Sequence, residues 1–183
     1  MALLINLLTI SRIALGAFIF ILLTQTEMYW LAFALFFIAS ITDYFDGYFA
    51  RKYNHVSQIG EILDPIADKV LIVFLLFAIS VNLTSYYIAF ASACIISREI
   101  WVGALRDFNA RQNKSDITKV TFLAKIKTTI QLFTISTYIF GLAMNNMIIL
   151  PIADMLLFLS LIITIYTGIE YTLNTFKNQN NIE

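Results

Sequence analysis

Four aspartates have the types and spacing to do chemistry. In the stretch DYFDGYFARKYNHVSQIGEILDPIAD at 43–68, Asp43 and Asp46 are spaced i, i+3, and Asp64 and Asp68 are spaced i, i+4. On helices each pair lies on one face, about one turn apart. Apolar runs flank the stretch, LAFALFFIASIT before it and KVLIVFLLFAIS after it. Unpaired carboxylates at the mouths of two such runs repel one another and resist leaving water. Something positive must join them. Converging oxygen ligands suit a hard divalent cation, magnesium or manganese, and such ions typically clamp a phosphate or pyrophosphate. Gly47, Ala50 and Gly60 remove side chains where a ligand or second helix needs close approach. Arg51 sits beside the cluster as a planar fork for phosphate oxygens. A plainer reading stands next to this one. Asp64 before Pro65 has the form of a helix N-cap followed by proline at the first helical position. Asp43 and Asp46 also fit loop-end charges paired with Arg51 and Lys52. All four aspartates at helical spacing, with the glycines and the arginine, weigh toward the metal site.

The elements that must position these residues are apolar. Of 183 residues 60% are hydrophobic and 13% charged, where soluble domains hold about a quarter charged. Six apolar segments, roughly 8–26, 28–50, 65–82, 85–106, 120–143 and 148–172, are each about long enough to cross a ~30 Å hydrocarbon layer as a helix. Their continuous apolarity excludes the alternation of barrel strands. The expected architecture is an all-α integral membrane protein, a single domain over 1–183 with six transmembrane helices. A lone cysteine, Cys94, excludes an internal disulfide, and with a single histidine, His55, a zinc site built on Cys and His is not expected. The N-terminus MALLINLLTISRIALGAF lacks a basic leading region and a small-residue cleavage site, so it reads as a retained first span.

The formal net charge is zero, yet the 12 Lys and Arg residues are placed asymmetrically. The breaks after the first, third and fifth segments hold none. Those after the second and fourth, with the adjoining helix ends, hold Arg51, Lys52, Lys69, Arg98, Arg106, Arg111, Lys114 and Lys119. Arg12, Lys125, Lys127 and Lys177 fall toward the same side. That side is expected to be cytoplasmic, with the aspartates and both termini on it.

The aspartate stretch resembles the CDP-alcohol phosphatidyltransferase signature, D-x2-D-G-x2-A-R-x8-G-x3-D-x3-D. Asp43, Asp46, Gly47, Ala50, Arg51, Gly60, Asp64 and Asp68 match it with no departure in spacing. The resemblance implies transfer of a phosphatidyl group from CDP-diacylglycerol to an alcohol, with release of CMP. It implies two divalent ions, Mg2+ or Mn2+, held by Asp43, Asp46 and Asp64 with Asp68 close to the second ion. Asp68 is also implied as the general base for the attacking hydroxyl. Gly47, Ala50, Arg51 and Gly60 are implied on the CDP-lipid side. NLLTISR near the N-terminus is similar to the family's opening segment, placing Asn6, Thr9 and Arg12 near the nucleotide or pyrophosphate. Arg12 snorkelling to the interface is the plainer alternative.

A second basic set, SREIWVGALRDFNAR at 97–111 and AKIKTTIQ at 124–131, bears on the acceptor. Arg98 and Arg106 are two helical turns apart and can share a face, whereas Lys125 and Lys127 point in different directions. Arg98 lies well inside an apolar segment, where a charge is costly without a polar cavity or partner. Glu99 adjoins it but points about 100° away, so an anionic substrate is the better expected counter-ion. Positive-inside topology alone explains part of this set. The segments REIWVGALR and KIKTTIQ are similar to those of bacterial phosphatidylglycerophosphate synthases, with Ala124 where a glycine is usual. That resemblance implies sn-glycerol 3-phosphate as acceptor, with Arg98, Arg106 and Lys125 as leading phosphate ligands and Lys127 a weaker one. It also implies a homodimer in a bacterial plasma membrane, among membrane lipid, with no nucleic-acid partner. Inositol phosphate or phosphatidylglycerol as acceptor is the alternative within the family, and an ion-coupled transporter the remote one.

Overall fold

The computed structural model describes the backbone over residues 2–53, 58–112 and 121–177, and side chains over 9–42, 66–67, 69–112 and 121–177. All regular structure in these residues is helical: α1 (Ala2–Gln25), α2 (Tyr29–Tyr53), α3 (Gln58–Asn82), α4 (Tyr86–Arg111), α5 (Phe122–Ala143) and α6 (Ile149–Lys177). The six apolar segments thus correspond to six helices. Two of them, α4 and α6 at 26 and 29 residues, are by themselves long and apolar enough to cross a membrane. Thr9–Gln25, Tyr29–Thr42 and Lys69–Asn82 are shorter apolar stretches of α1, α2 and α3.

Several helices run past their apolar stretches, most consequentially at α3. A start at Pro65 was the alternative to the metal site. The helix instead begins at Gln58, so Asp64 and Pro65 lie in its interior. Pro65 donates no backbone hydrogen bond there, yet the helix runs through it, with Gln58, Glu61 and Leu63 before it as good helix formers. Asp64 is therefore not the cap of a helix starting at 65.

The turns are chemically specified. Ser85 caps α4, its hydroxyl accepting from the Ile88 N–H at 3.3 Å. Thr121 caps α5 in the same way through the Ala124 N–H at 3.3 Å. Asn145, between α5 and α6, holds a φ of 48°, a conformation asparagine tolerates better than most residues. Asn82 ends α3 by donating to the Leu23 carbonyl at 2.7 Å, which ties it to the end of α1.

α1 packs along α3 and against α2, α6 packs along α5 and α4, and α3 and α5 connect the two groups. The shared core draws Leu23, Phe36, Leu75, Ile79, Ile88 and Ile139 from five helices. Outside, Phe37, Phe90, Ile100, Phe133, Met155 and Leu173 are exposed. A domain facing water rarely shows so continuous an apolar surface; lipid is its natural solvent. Inside, Ser92, Thr134 and Thr167 donate to carbonyls four residues back, which satisfies hydroxyls within an apolar bundle.

The α1–α3 contact is close at Gly16. A Cβ there would lie 3.3 Å from Leu71 Cδ1 and 3.4 Å from the Leu71 backbone. Gly16→Leu should cost about 2 kcal/mol by overpacking, read as a fall in Tm of roughly 5 °C in detergent, with Gly16→Ala much milder. An unchanged Tm for Gly16→Leu would contradict the contact.

Candidate active site

The aspartates sit on two helices, Asp43 and Asp46 in α2 and Asp64 and Asp68 in α3. Both helices pack on α1 and on α5. Because each pair lies within one continuous helix, its members are one turn apart on one face. Carboxylates are the ligand type that a hard divalent ion takes. The side chains of Asp43, Asp46, Gly47, Ala50, Arg51, Gly60, Asp64, Asp68 and Asn6 lie outside the described residues.

Directly after Asp68 on the same helix comes Lys69, and Lys69 lines a cavity of about 520 Å³ between α3, α4 and α5. Arg98, Glu99, Arg106, Lys127 and Gln131 line it with Lys69, and Val73, Phe74 and Ile95 supply apolar wall. Among the described residues, four cations thus face one carboxylate. Arg98 and Lys127 are buried, with side chains 8% and 6% exposed. Fields in such a space are screened far less than in water.

Glu99 joins the two buried cations. Its Oε1 accepts from Arg98 Nη1 at 2.9 Å and from Lys127 Nζ. This corrects the expectation that Glu99 points away from Arg98. Neighbouring positions on a helix do diverge, but both side chains are long enough to bend into one cavity, and Lys127 of α5 fixes the carboxylate there. On its other side Arg98 donates from Nη2 to Thr167 Oγ1 at 2.8 Å. Its stem lies on Gly168, where a Cβ would come within 3.0 Å of Arg98 Cγ. The Nε of Arg98 and the Nε of Arg106 are buried with no hydrogen-bond partner among the described residues. Arg98 Nε lies on the α6 side, 3.6 Å from where a Cβ on Gly168 would be.

Residues 2–166 match the family described as CDP-alcohol phosphatidyltransferase. The chain belongs to that family. It is also 31% identical over 169 residues to proteins of Escherichia coli strain K12, Shigella flexneri serotype 5b and Shigella boydii serotype 4, covering 91% of this chain and 91% of theirs. Each of these relatives is named CDP-diacylglycerol–glycerol-3-phosphate 3-phosphatidyltransferase.

Within this phosphatidyltransferase the structure sorts the expected residues. Arg98, Arg106 and Lys127 are brought together, whereas Lys125 is exposed and does not line the cavity. The expected ranking of the two lysines is therefore reversed. Lys127 and Ala124 occupy the buried face of α5, and Lys125, about 200° round the helix from Lys127, is turned outward. Thr9 and Arg12 are buried on α1 and are not among the cavity's lining. At 3% exposure Arg12 lies inside the protein rather than snorkelling to an interface.

Lys69, Glu99, Thr167, Gln131 and Tyr171 were not foreseen. Lys69 carried a signal, its place next to Asp68. Glu99 was visible but misjudged by angle alone. Thr167 and Tyr171 come from α6, whose sequence reads as an ordinary apolar span.

Replacing Glu99 leaves two buried cations without their shared counter-charge. Glu99→Gln should cost about 3 kcal/mol of stability, and inorganic phosphate should restore part of the loss in thermal unfolding by binding the freed cations. A variant as stable as the wild type, and indifferent to phosphate, would contradict this pairing.

Proposed function

We propose that the chain transfers the phosphatidyl group of CDP-diacylglycerol to sn-glycerol 3-phosphate, giving phosphatidylglycerophosphate and CMP, as the names of its relatives say of them. The observation that carries the acceptor choice is the cavity with, among the described residues, four cations and one carboxylate, lined in part by α3, the helix of Asp64 and Asp68. A phosphomonoester balances that charge; serine or ethanolamine would leave it unopposed.

In this reading Arg98, Arg106 and Lys127, with Lys69, hold the acceptor's phosphate, and Glu99 yields its contacts to it. The buried setting strengthens each of those pairings and keeps water away. Asp68, one residue before Lys69, takes the proton of the attacking hydroxyl. The new P–O bond forms at the phosphorus bearing the diacylglycerol ester, the bond to CMP breaks, and CMP departs with the electron pair. Asp43, Asp46, Asp64 and Asp68 would hold two divalent cations, Mg2+ or Mn2+, which when bound neutralise charge on the pyrophosphate. Gly47, Ala50, Arg51, Gly60, Asn6, Thr9 and Arg12 serve the CDP-lipid side by family resemblance. Lys125 faces outward, to headgroups.

The protein in this account is a single domain that crosses a bacterial plasma membrane six times, with the active site and both termini cytoplasmic. The gathering of all 12 Lys and Arg residues toward one side supports that orientation. A homodimer is proposed on family resemblance. With the family established, the ion-coupled transporter falls away.

CMP release by the purified protein from CDP-diacylglycerol with magnesium tests the reaction. It should appear with sn-glycerol 3-phosphate and vanish on chelation. Release only with inositol 1-phosphate or phosphatidylglycerol would overturn the acceptor. In the same assay Lys127→Ala should raise the KM for glycerol 3-phosphate roughly tenfold or more, the loss expected for one buried charged contact. Lys125→Ala should change it less than about twofold, as for an exposed charge. Equal effects would contradict the placement of the two lysines.

A further inference from the structure

Tyr171 is the point at which the cationic cluster is held together. Arg98 and Arg106 leave α4 about 12 Å apart along the helix axis, yet their guanidinium carbons lie 5.7 and 5.3 Å from the centroid of the same ring, that of Tyr171. Like charges do not converge unaided in an apolar interior. The negative face of an aromatic ring attracts both and offsets their repulsion.

The hydroxyl adds a second hold. It accepts from Arg106 Nη2 at 3.4 Å and from the backbone N–H of Thr121 at 3.2 Å. Thr121 is the cap of α5, the helix that carries Lys127. One side chain on α6 therefore touches both arginines and anchors the start of the helix bearing the third cation. Tyr171 has little room to move: it is 1% exposed and packs with Val102 and Leu105. It is not among the residues lining the cavity. It also lies beyond residue 166, where the match to the family ends.

We propose that Tyr171 is a positioning residue for the acceptor-phosphate site, holding Arg98 and Arg106 on one ring and fixing the start of the Lys127 helix, so that the cations converge before a phosphomonoester arrives. The gain is preorganisation: an arginine pair already gathered loses less freedom when it binds. This inference rests on the acceptor-site reading above and deepens it.

The test uses the full chain in detergent, with Tyr171→Phe and Tyr171→Leu. Phenylalanine keeps the ring and loses the hydroxyl contacts; leucine loses both. In CMP-release kinetics the KM for sn-glycerol 3-phosphate should rise about threefold in Tyr171→Phe and about tenfold in Tyr171→Leu, on the scale of one lost contact and of two. kcat and the KM for CDP-diacylglycerol should stay within about twofold, as for a loss confined to acceptor binding. A merely structural role would instead lower both substrates' parameters together, or track the fall in Tm without the graded order. Either pattern overturns the inference, as does an unchanged acceptor KM in both variants. Calorimetric binding of inorganic phosphate separates this from a failure of the proposed reaction. Should the wild type release no CMP with glycerol 3-phosphate, weaker phosphate binding in Tyr171→Leu than in Tyr171→Phe still supports the positioning role, and equal affinities in all three proteins refute it.

Discussion

One carboxylate oxygen, Glu99 Oε1, joins Arg98 of α4 to Lys127 of α5, and the functional half of the bundle depends on that junction. A buried cation in an apolar bundle is tolerable only with a partner of opposite charge or a strong set of dipoles. The same junction makes the site ready for an anion. In the proposed acceptor reading a phosphate takes over the contacts that Glu99 yields, so Arg98 and Lys127 keep an anionic partner throughout.

The remaining contacts serve the same purpose from α6. Thr167 accepts the second arm of Arg98, Gly168 leaves space for its stem, and the ring of Tyr171 faces Arg98 and Arg106 together. Two hydrogen bonds farther out, Trp101 to Thr172 and Asn109 to Thr175, hold α4 and α6 in register beside the cluster. Without water to complete their hydrogen bonding, polar side chains inside such a bundle find one another across helices. The sequence divides along the chain: α2 and α3 carry the aspartates, α4 and α5 carry Arg98, Arg106 and Lys127, and Lys69 of α3 lines the cavity with them.

Much of this was legible in the residues. The aspartate spacing carries the family signature, and the family it points to is the one the chain belongs to. The six apolar segments became six helices for an equally local reason. Other features had no local mark. The start of α3 at Gln58 rather than Pro65 was obscured because hydropathy marks where lipid begins, not where a helix does. The choice between Lys125 and Lys127 depends on which face of α5 meets the bundle, and both lysines are equally cationic in sequence. Glu99 was misjudged because a helical angle describes where Cβ points, while a glutamate and an arginine reach several ångströms beyond it. Tyr171 was invisible, since its role arises from three elements meeting around it.

The most direct test of the central claim is a structure of the protein with bound sn-glycerol 3-phosphate. The account predicts its phosphate within hydrogen-bonding distance of Arg98 and Lys127, with Glu99 displaced from at least one of them. A phosphate seated elsewhere, with Glu99 still bridging both cations, would contradict it.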